Sequence, residues 1–309
     1  MAVGVVFILV SGAAFGLLPL FARTGYDHGA EPLGMLTARF VLSAIGLVVI
    51  RLVVERGRPL PPRPLVTRLF ALGALGYAVQ SSFYFWGIDR IDVSLATVIF
   101  YSYPVMVAVA ARLVFGDRLS RASLVCLAVV VAGVVLTAGQ LGSGSVTGVA
   151  AMLGAAAWYT GYILVSSRTV QIAGALTSLT IVMIGAAVVH VVALPMHKSA
   201  IPSDAIGWWA AVGSAVVSTF IGMGFFFAGI ARLDAATAAI LSTTEPVVSV
   251  LVGVYVYSET LTPPRAIGAV AVLAGVAATA HFSRARTTTA PMTASTATGP
   301  TVSGSRNDR

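Results

Sequence analysis

The sequence predicts an all-α integral membrane protein: ten transmembrane helices arranged as two inverted five-helix repeats. Three observations predict it. The composition is strongly apolar, the apolar residues fall into ten runs of spanning length, and a long stretch of the chain recurs at a constant offset of 142 residues.

Of 309 residues, 58% are hydrophobic and only 10% charged. The mean hydropathy is +0.94. A water-soluble domain carries about 25% charged residues, so this chain needs lipid as its solvent. The single cysteine, Cys126, excludes an intrachain disulfide and a cysteine metal site. The net charge of +8 falls in short connections, which fits lipid headgroups and not nucleic acid. No cofactor or metal is expected.

A spanning helix needs about 20 mostly apolar residues. Ten segments qualify: 2–22, 33–53, 68–88, 93–114, 122–139, 147–167, 174–194, 207–230, 235–257 and 264–281. The first lacks the basic stretch of a signal peptide and reads as a retained helix. With ten segments both termini share one side. That side collects twelve arginines: Arg51, Arg56, Arg58, Arg63, Arg68, Arg112, Arg118, Arg121, Arg168, Arg232, Arg284 and Arg286. The other holds only Arg23, Arg90, Lys198 and Arg265. This asymmetry places both termini in the cytoplasm of a cell bounded by an inner membrane. The stretch 284–309 has too little apolar content to pack and is expected to be a disordered tail.

The repeat aligns 83–137 with 225–279 without a gap, with 16 of 55 positions identical. Gly87 meets Gly229, Arg90 meets Arg232, Asp92 meets Asp234, Pro104 meets Pro246 and Gly133 meets Gly275. Biased composition supplies Ala and Val matches, but not this ordered set. The halves are 1–140 and 141–283. Five helices per half force the two into opposite orientations, the arrangement of alternating-access carriers with a site near the midplane.

The ninth segment holds the main candidate. Glu245 lies about ten residues from either end, near the bilayer centre. A carboxylate there costs about 2.5 kcal/mol or more and faces a cavity or a partner. Ser242 and Ser249 share its face. Pro246 cannot donate to the Ser242 carbonyl, which is expected to be free for a ligand or water. Glu245 can take up a proton, so it reads as a substrate or proton site; the competing reading is a protonated acid bonded within the bundle. Pro104, the matching kink in the fourth segment, follows Phe100, Tyr101 and Tyr103, an aromatic face opposite the acid.

The third segment carries Tyr77, Gln80, Ser81 and Tyr84 on one face, and Gln80 points that face inward. The sixth carries Trp158 and Tyr162 at i, i+4, too deep for an interface belt and so expected in the interior. In the eighth, Ser218 follows Ser214 by one turn. Such serines bond backbone or glue helices as often as they bind solutes. Arg39, in the outer part of the second segment, is expected to snorkel to the interface or pair there. His190 is expected at the interface too. Asp92 and Asp234 begin segments and suit helix N-termini. Arg90 and Arg232, two residues earlier, anchor or rim the hairpins.

On these residues the chain resembles the drug/metabolite transporter superfamily, specifically its EamA-type ten-helix transporters. The resemblance covers about residues 4–281. It rests on Glu245-Pro246, Ser258-Glu259-x-Leu261, Gly268 and Gly275 in the second half. In the first half it rests on Arg39, Pro104, Gly116-Asp117-x-Leu119 and Gly133. It implies a central cavity lined by segments 1, 3, 4, 6, 8 and 9 that opens alternately to each side. It also implies transport of amino acids, metabolites, sugars or drugs. Two positions depart: Tyr103 precedes the first proline, and Phe15-Gly16 stands where a Trp-Gly pair is common.

The resulting expectation is a secondary transporter, not an enzyme, that exports a small organic solute and can use protons for coupling. The middles of segments 4, 8, 9 and 10 contain no Lys or Arg, which argues against a polyanion. Aromatics around one carboxylate suit an amino acid, its derivative or an amphipathic amine. The alternatives are a membrane-embedded sensor or scaffold, or an intramembrane enzyme. The last would need paired aspartates, a Ser/His pair or H-E-x-x-H, and no such set lies at depth.

Overall fold

The computed structural model describes residues 2–115, 121–138, 146–230, 232, 241–242 and 244–288. Every regular element among them is helical. In a bilayer this is required, because backbone groups facing lipid must bond within their own segment.

The first helix pair, α1 (Ala2–Gly16) and α2 (Leu18–Asp27), forms one rod interrupted at Leu17. Pro19 supplies no N–H, and that loosens the turn. After it come α3 (Pro32–Val54), then α4 (Arg63–Ala71) and α5 (Ala78–Ile88), joined by a π-helical stretch at Leu72–Tyr77. Segment four is split into α6 (Val93–Phe100) and α7 (Tyr103–Phe115) by a turn at Tyr101–Ser102, beside Pro104. The chain continues through α8 (Arg121–Ala138), α9 (Val146–Ala173) and α10 (Ala175–His197). The elements α11 (Ala205–Gly213) and α12 (Gly224–Ile230) flank a second π-helical stretch, Ser214–Met223. The last two helices are α13 (Thr244–Tyr257) and α14 (Pro263–Thr288).

The repeat is visible in the backbone. The two π-helical stretches begin at Leu72 and Ser214, 142 positions apart, the offset of the sequence repeat. Each widens the helix locally.

Among the described residues five helices are long and apolar enough to cross a membrane: Ala2–Asp27, Pro32–Val54, Val146–Val165, Ala175–His197 and Ala205–Phe226. Val93–Val107 and Thr244–Tyr257 are shorter apolar helices. The polarity is inverted relative to a soluble protein. Ile45, Val49 and Leu52 on α3, and Val188, Val191 and Val192 on α10, are exposed, whereas Ser11, Ser43, Gln80, Thr180 and Ser249 are buried. Apolar surface on that scale is stable only against lipid.

Between segments, glycine sets the spacing. A Cβ on Gly73 would strike the Val182 carbonyl, and one on Gly185 would strike the Phe70 carbonyl, so α10 lies backbone to backbone against the first π-helical stretch. Gly12 and Gly16 do the same for α1 and α13. Their Cβ atoms would lie 3.1 Å from Thr244 Cβ and 2.6 Å from Val248 Cβ.

Two expectations change here. The last helix continues to Thr288, five residues into the stretch expected to be structureless. Its final turns carry Arg284 and Arg286, which suit a helix C-terminus. The sixth segment extends to Ala173. The beginning of the ninth segment, 235–240, together with Asp234 and Gly116–Leu119, lies outside the described residues.

Candidate functional site

Glu245 stands in the first turn of α13. The close glycine contact with α1 and the break between α6 and α7 bring three backbones toward it. It lines a cavity of about 80 Å³ with Phe15, Leu18, Arg39, Tyr77, Gln80, Ser81, Tyr84, Phe85, Phe100, Tyr103 and Tyr159. The cavity thus draws on α1, α2, α3, the end of the first π-helical stretch, α5, α6, α7, α9 and α13.

The aromatic wall is continuous. Tyr84 meets Phe100 edge-on at 5.0 Å, and Tyr103 meets Tyr159 edge-on at 4.9 Å. Phe100 lies 5.2 Å from Tyr103 and 5.7 Å from Tyr159. Tyr159 stacks on Tyr162 at 5.9 Å. Such pairs orient one another and fix the wall's shape. Gln80 accepts a 3.3 Å bond from Ser81 at the cavity edge.

Tyr101, read from the sequence as part of the aromatic face opposite the acid, reaches Glu245 directly. Its hydroxyl lies 3.1 Å from Oε2 of Glu245 and donates to the Ser242 carbonyl at 2.7 Å. That carbonyl was expected to be free. The turn at Tyr101–Ser102 aims the phenol into the gap left by Pro246, so a side chain occupies the place foreseen for a ligand. A proline in one repeat and an aromatic in the other thus complete each other.

The other predicted residues divide. Tyr77, Gln80, Tyr84, Phe100, Tyr103 and Glu245 converge on the cavity. Ser249 and Ser218 turn away to backbone: Ser249 donates to Gly16 O at 3.0 Å and Ser218 to Ala14 O at 3.3 Å. Both sew their helices to α1 and lie apart from the cavity. Trp158 points outward, 45% exposed, and donates its indole N–H to Leu75 O at 3.0 Å. It borders an open lateral recess that also takes in Arg68 and Tyr162. Depth along a helix did not decide its direction; its azimuth did.

Arg39 does not snorkel. It is 1% exposed, lines the same cavity as Glu245 and donates to the Tyr77 hydroxyl at 3.3 Å. His190 is also 1% exposed, bonded by Nδ1 to Ala186 O at 2.9 Å and by Nε2 to Ser82 at 3.2 Å. Its ring packs on Phe40 at 4.9 Å, an internal partner for what was expected at the interface.

The hairpin arginines match across the repeat. Arg90 donates back to Trp86 O at 3.0 Å and Arg232 to Ala228 O at 2.7 Å, equivalent positions. Each guanidinium also stands over a ring, Trp86 at 3.9 Å and Phe7 at 5.2 Å. Asp92 makes no side-chain cap at the start of α6. Glu259 supplies that cap from the far half of the chain, accepting from Val93 N at 2.5 Å and Ser94 N at 2.9 Å. Asp92 instead pairs with Arg265.

The chain matches the EamA-like transporter family over residues 2–139 and again over 146–280. It is similar to the uncharacterized transporter YojE of Bacillus subtilis (strain 168), with 24% identity across 85% of this chain and 88% of that one. It is also similar to the uncharacterized transporter YcbK of the same organism, with 25% identity across 86% and 89%. A solved crystal structure shares the fold at a TM-score of 0.63 and 19% identity, covering 91% of this chain and 98% of that one. Two matched units, an apolar exterior and an aromatic interior cavity that holds Arg39 and Glu245 agree: the chain belongs to the EamA-like transporter family and is a multi-pass membrane transporter.

Proposed function

We propose that the protein exports a small organic solute across the inner membrane by alternating access. In this reading ten spanning helices form two inverted five-helix halves, with both termini cytoplasmic and the solute bound at Glu245. The carrying observation is the cavity that joins Glu245 to an unbroken aromatic wall drawn from both halves. The twelve-to-four arginine asymmetry supports the orientation. The π-helical stretches at equivalent positions support the duplication and offer each half a wide turn at which to bend.

The cavity is about 80 Å³, whereas sites for organic ligands span about 300–1,000 Å³. The solute is therefore admitted only when the halves move apart on one side. The hydrogen bonds at Glu245 fit proton coupling. One phenolic hydrogen on Tyr101 faces two acceptors, the Ser242 carbonyl and the Glu245 carboxylate. An ionised Glu245 competes for that hydrogen. A protonated Glu245 donates to the phenol oxygen and leaves the hydrogen to Ser242. Protonation thus rewires the contact between α6–α7 and α13.

The test is flux in proteoliposomes, screened over metabolites with and without a proton gradient. Glu245→Gln is expected to fold normally and lose transport or its pH dependence. Wild-type flux with a wild-type pH profile in that variant removes Glu245 from the mechanism.

A further inference from the structure

Arg39 is the charge in the cavity that the reading above leaves unused. Its guanidinium carries five N–H donors in a fixed fork and no acceptor. Among the described residues it makes one hydrogen bond, to Tyr77 at 3.3 Å, and Nε has no partner. The guanidinium lies 5.4 Å from the Phe40 ring and 5.7 Å from the Phe85 ring, so aromatic faces hold it without satisfying its donors. Among the described residues no acidic side chain pairs with it. Glu245 shares the cavity but makes no ion pair with it among those residues.

A buried cation without a counterion is costly, and such a group faces a water-filled path or a ligand that supplies the missing charge. The cavity therefore has two poles: a cation on α3 and an acid on α13. Phe100, Tyr103, Tyr84 and Tyr159 line the space between them. We propose that Arg39 is the anion subsite of this cavity and that the solute is zwitterionic: its carboxylate docks on Arg39, its ammonium on Glu245 and the aromatic faces, and its side chain on the Phe100–Tyr103 wall. The proposal rests on the reading of the cavity as the solute site. It narrows that reading by excluding plain amines and plain acids.

The test uses the purified full-length protein and three matched probes: L-phenylalanine, phenethylamine and 3-phenylpropionate. Binding is read by calorimetry and by thermal shift, with the twenty standard amino acids screened alongside. Wild type is expected to bind at least one amino acid, and to bind each of the two single-charge analogues at least tenfold more weakly. R39Q is expected to lose the preference for zwitterion over amine, and R39K to regain part of it. The wild-type comparison stands even if R39Q does not fold. Equal binding of phenylalanine and phenethylamine by wild type overturns the proposal, as does retained discrimination in R39Q or the binding of no amino acid. Y103A and E245Q separate the two claims: if neither alters any binding that wild type shows, the cavity itself is not the solute site.

Discussion

Asp92 and Arg265 meet at 2.6 Å, joining the start of α6 to the start of α14 across 173 positions of sequence. Beside them Glu259 caps α6 through Val93 and Ser94. The pair and the cap tie the two halves at one end of the bundle, away from the cavity. The ion pair is half-buried, with its Asp92 side still open to solvent, and adds little, since solvent-accessible pairs contribute about 0–1 kcal/mol. The cap adds more, because a carboxylate on two free helix N–H groups satisfies donors that nothing else reaches.

Glu259→Ala is therefore expected to lower stability by about 1–2 kcal/mol, and Asp92→Asn by less than half of that. Thermal unfolding of the detergent-purified variants measures both. An Asp92 variant as damaging as the Glu259 variant would show that Asp92, not Glu259, secures the helix start.

Close packing at Gly73 and Gly185 yields a second expectation. The obstructing atoms are backbone carbonyls of Val182 and Phe70, which cannot swing aside. Gly73→Val should cost about 1–3 kcal/mol, the usual range for overpacking, and depress the yield of folded protein. Gly161, whose Cβ would meet nothing within 4 Å, is the control. Gly161→Ala should be neutral or mildly stabilising, as expected for glycine in a helix interior.

Much of this architecture was legible because it depends on residues that imprint the local chain. Pro104 and Pro246 mark the helix break and the polar turn, and the repeated arginines Arg90 and Arg232 each donate to the carbonyl four residues earlier. What was not legible depends on direction around a helix. Arg39 was expected at the interface and instead lines the cavity, and Trp158 was expected in the interior and instead points outward. The cap from Glu259 and the Tyr101 contact join residues more than 140 positions apart. Local pattern cannot register such pairs. Ser218 and Ser249 illustrate a third case, where a polar stripe in the sequence turned out to bond a neighbouring backbone.

The extramembrane turn before α11 is acid-sensitive. Asp204 caps that helix by accepting from Gly207 N at 2.9 Å and meets His28 Nδ1 at 2.7 Å. The amide bond, foremost, and then His28 hold its carboxyl below the usual aspartate value. Because the folded value is depressed, the contribution is complete above the unfolded value, near pH 3.9. It is lost as pH falls through the folded one. Asp204→Asn should flatten that part of the stability–pH curve while leaving stability near neutrality little changed, since asparagine also caps. Unfolding midpoints across the acid range read this out.

Tyr101 offers the sharpest check on how Glu245 is held. Tyr101→Phe deletes one hydroxyl and leaves two acceptors, the Ser242 carbonyl and Glu245, without the donor they share. Because the phenol is 1% exposed, water cannot easily replace it. The expected loss is about 1–3 kcal/mol. Part of that loss belongs to Ser242 and part to Glu245, and a double-mutant cycle separates them. If the Glu245 contact matters energetically, Tyr101→Phe costs less in a Glu245→Ala background than in wild type, with a coupling of about 0.5 kcal/mol or more. Strictly additive losses would mean that Tyr101 serves the Ser242 carbonyl alone. The phenol would then be a helix-break plug, and the proposed protonation of Glu245 would have no route to the α6–α7 turn.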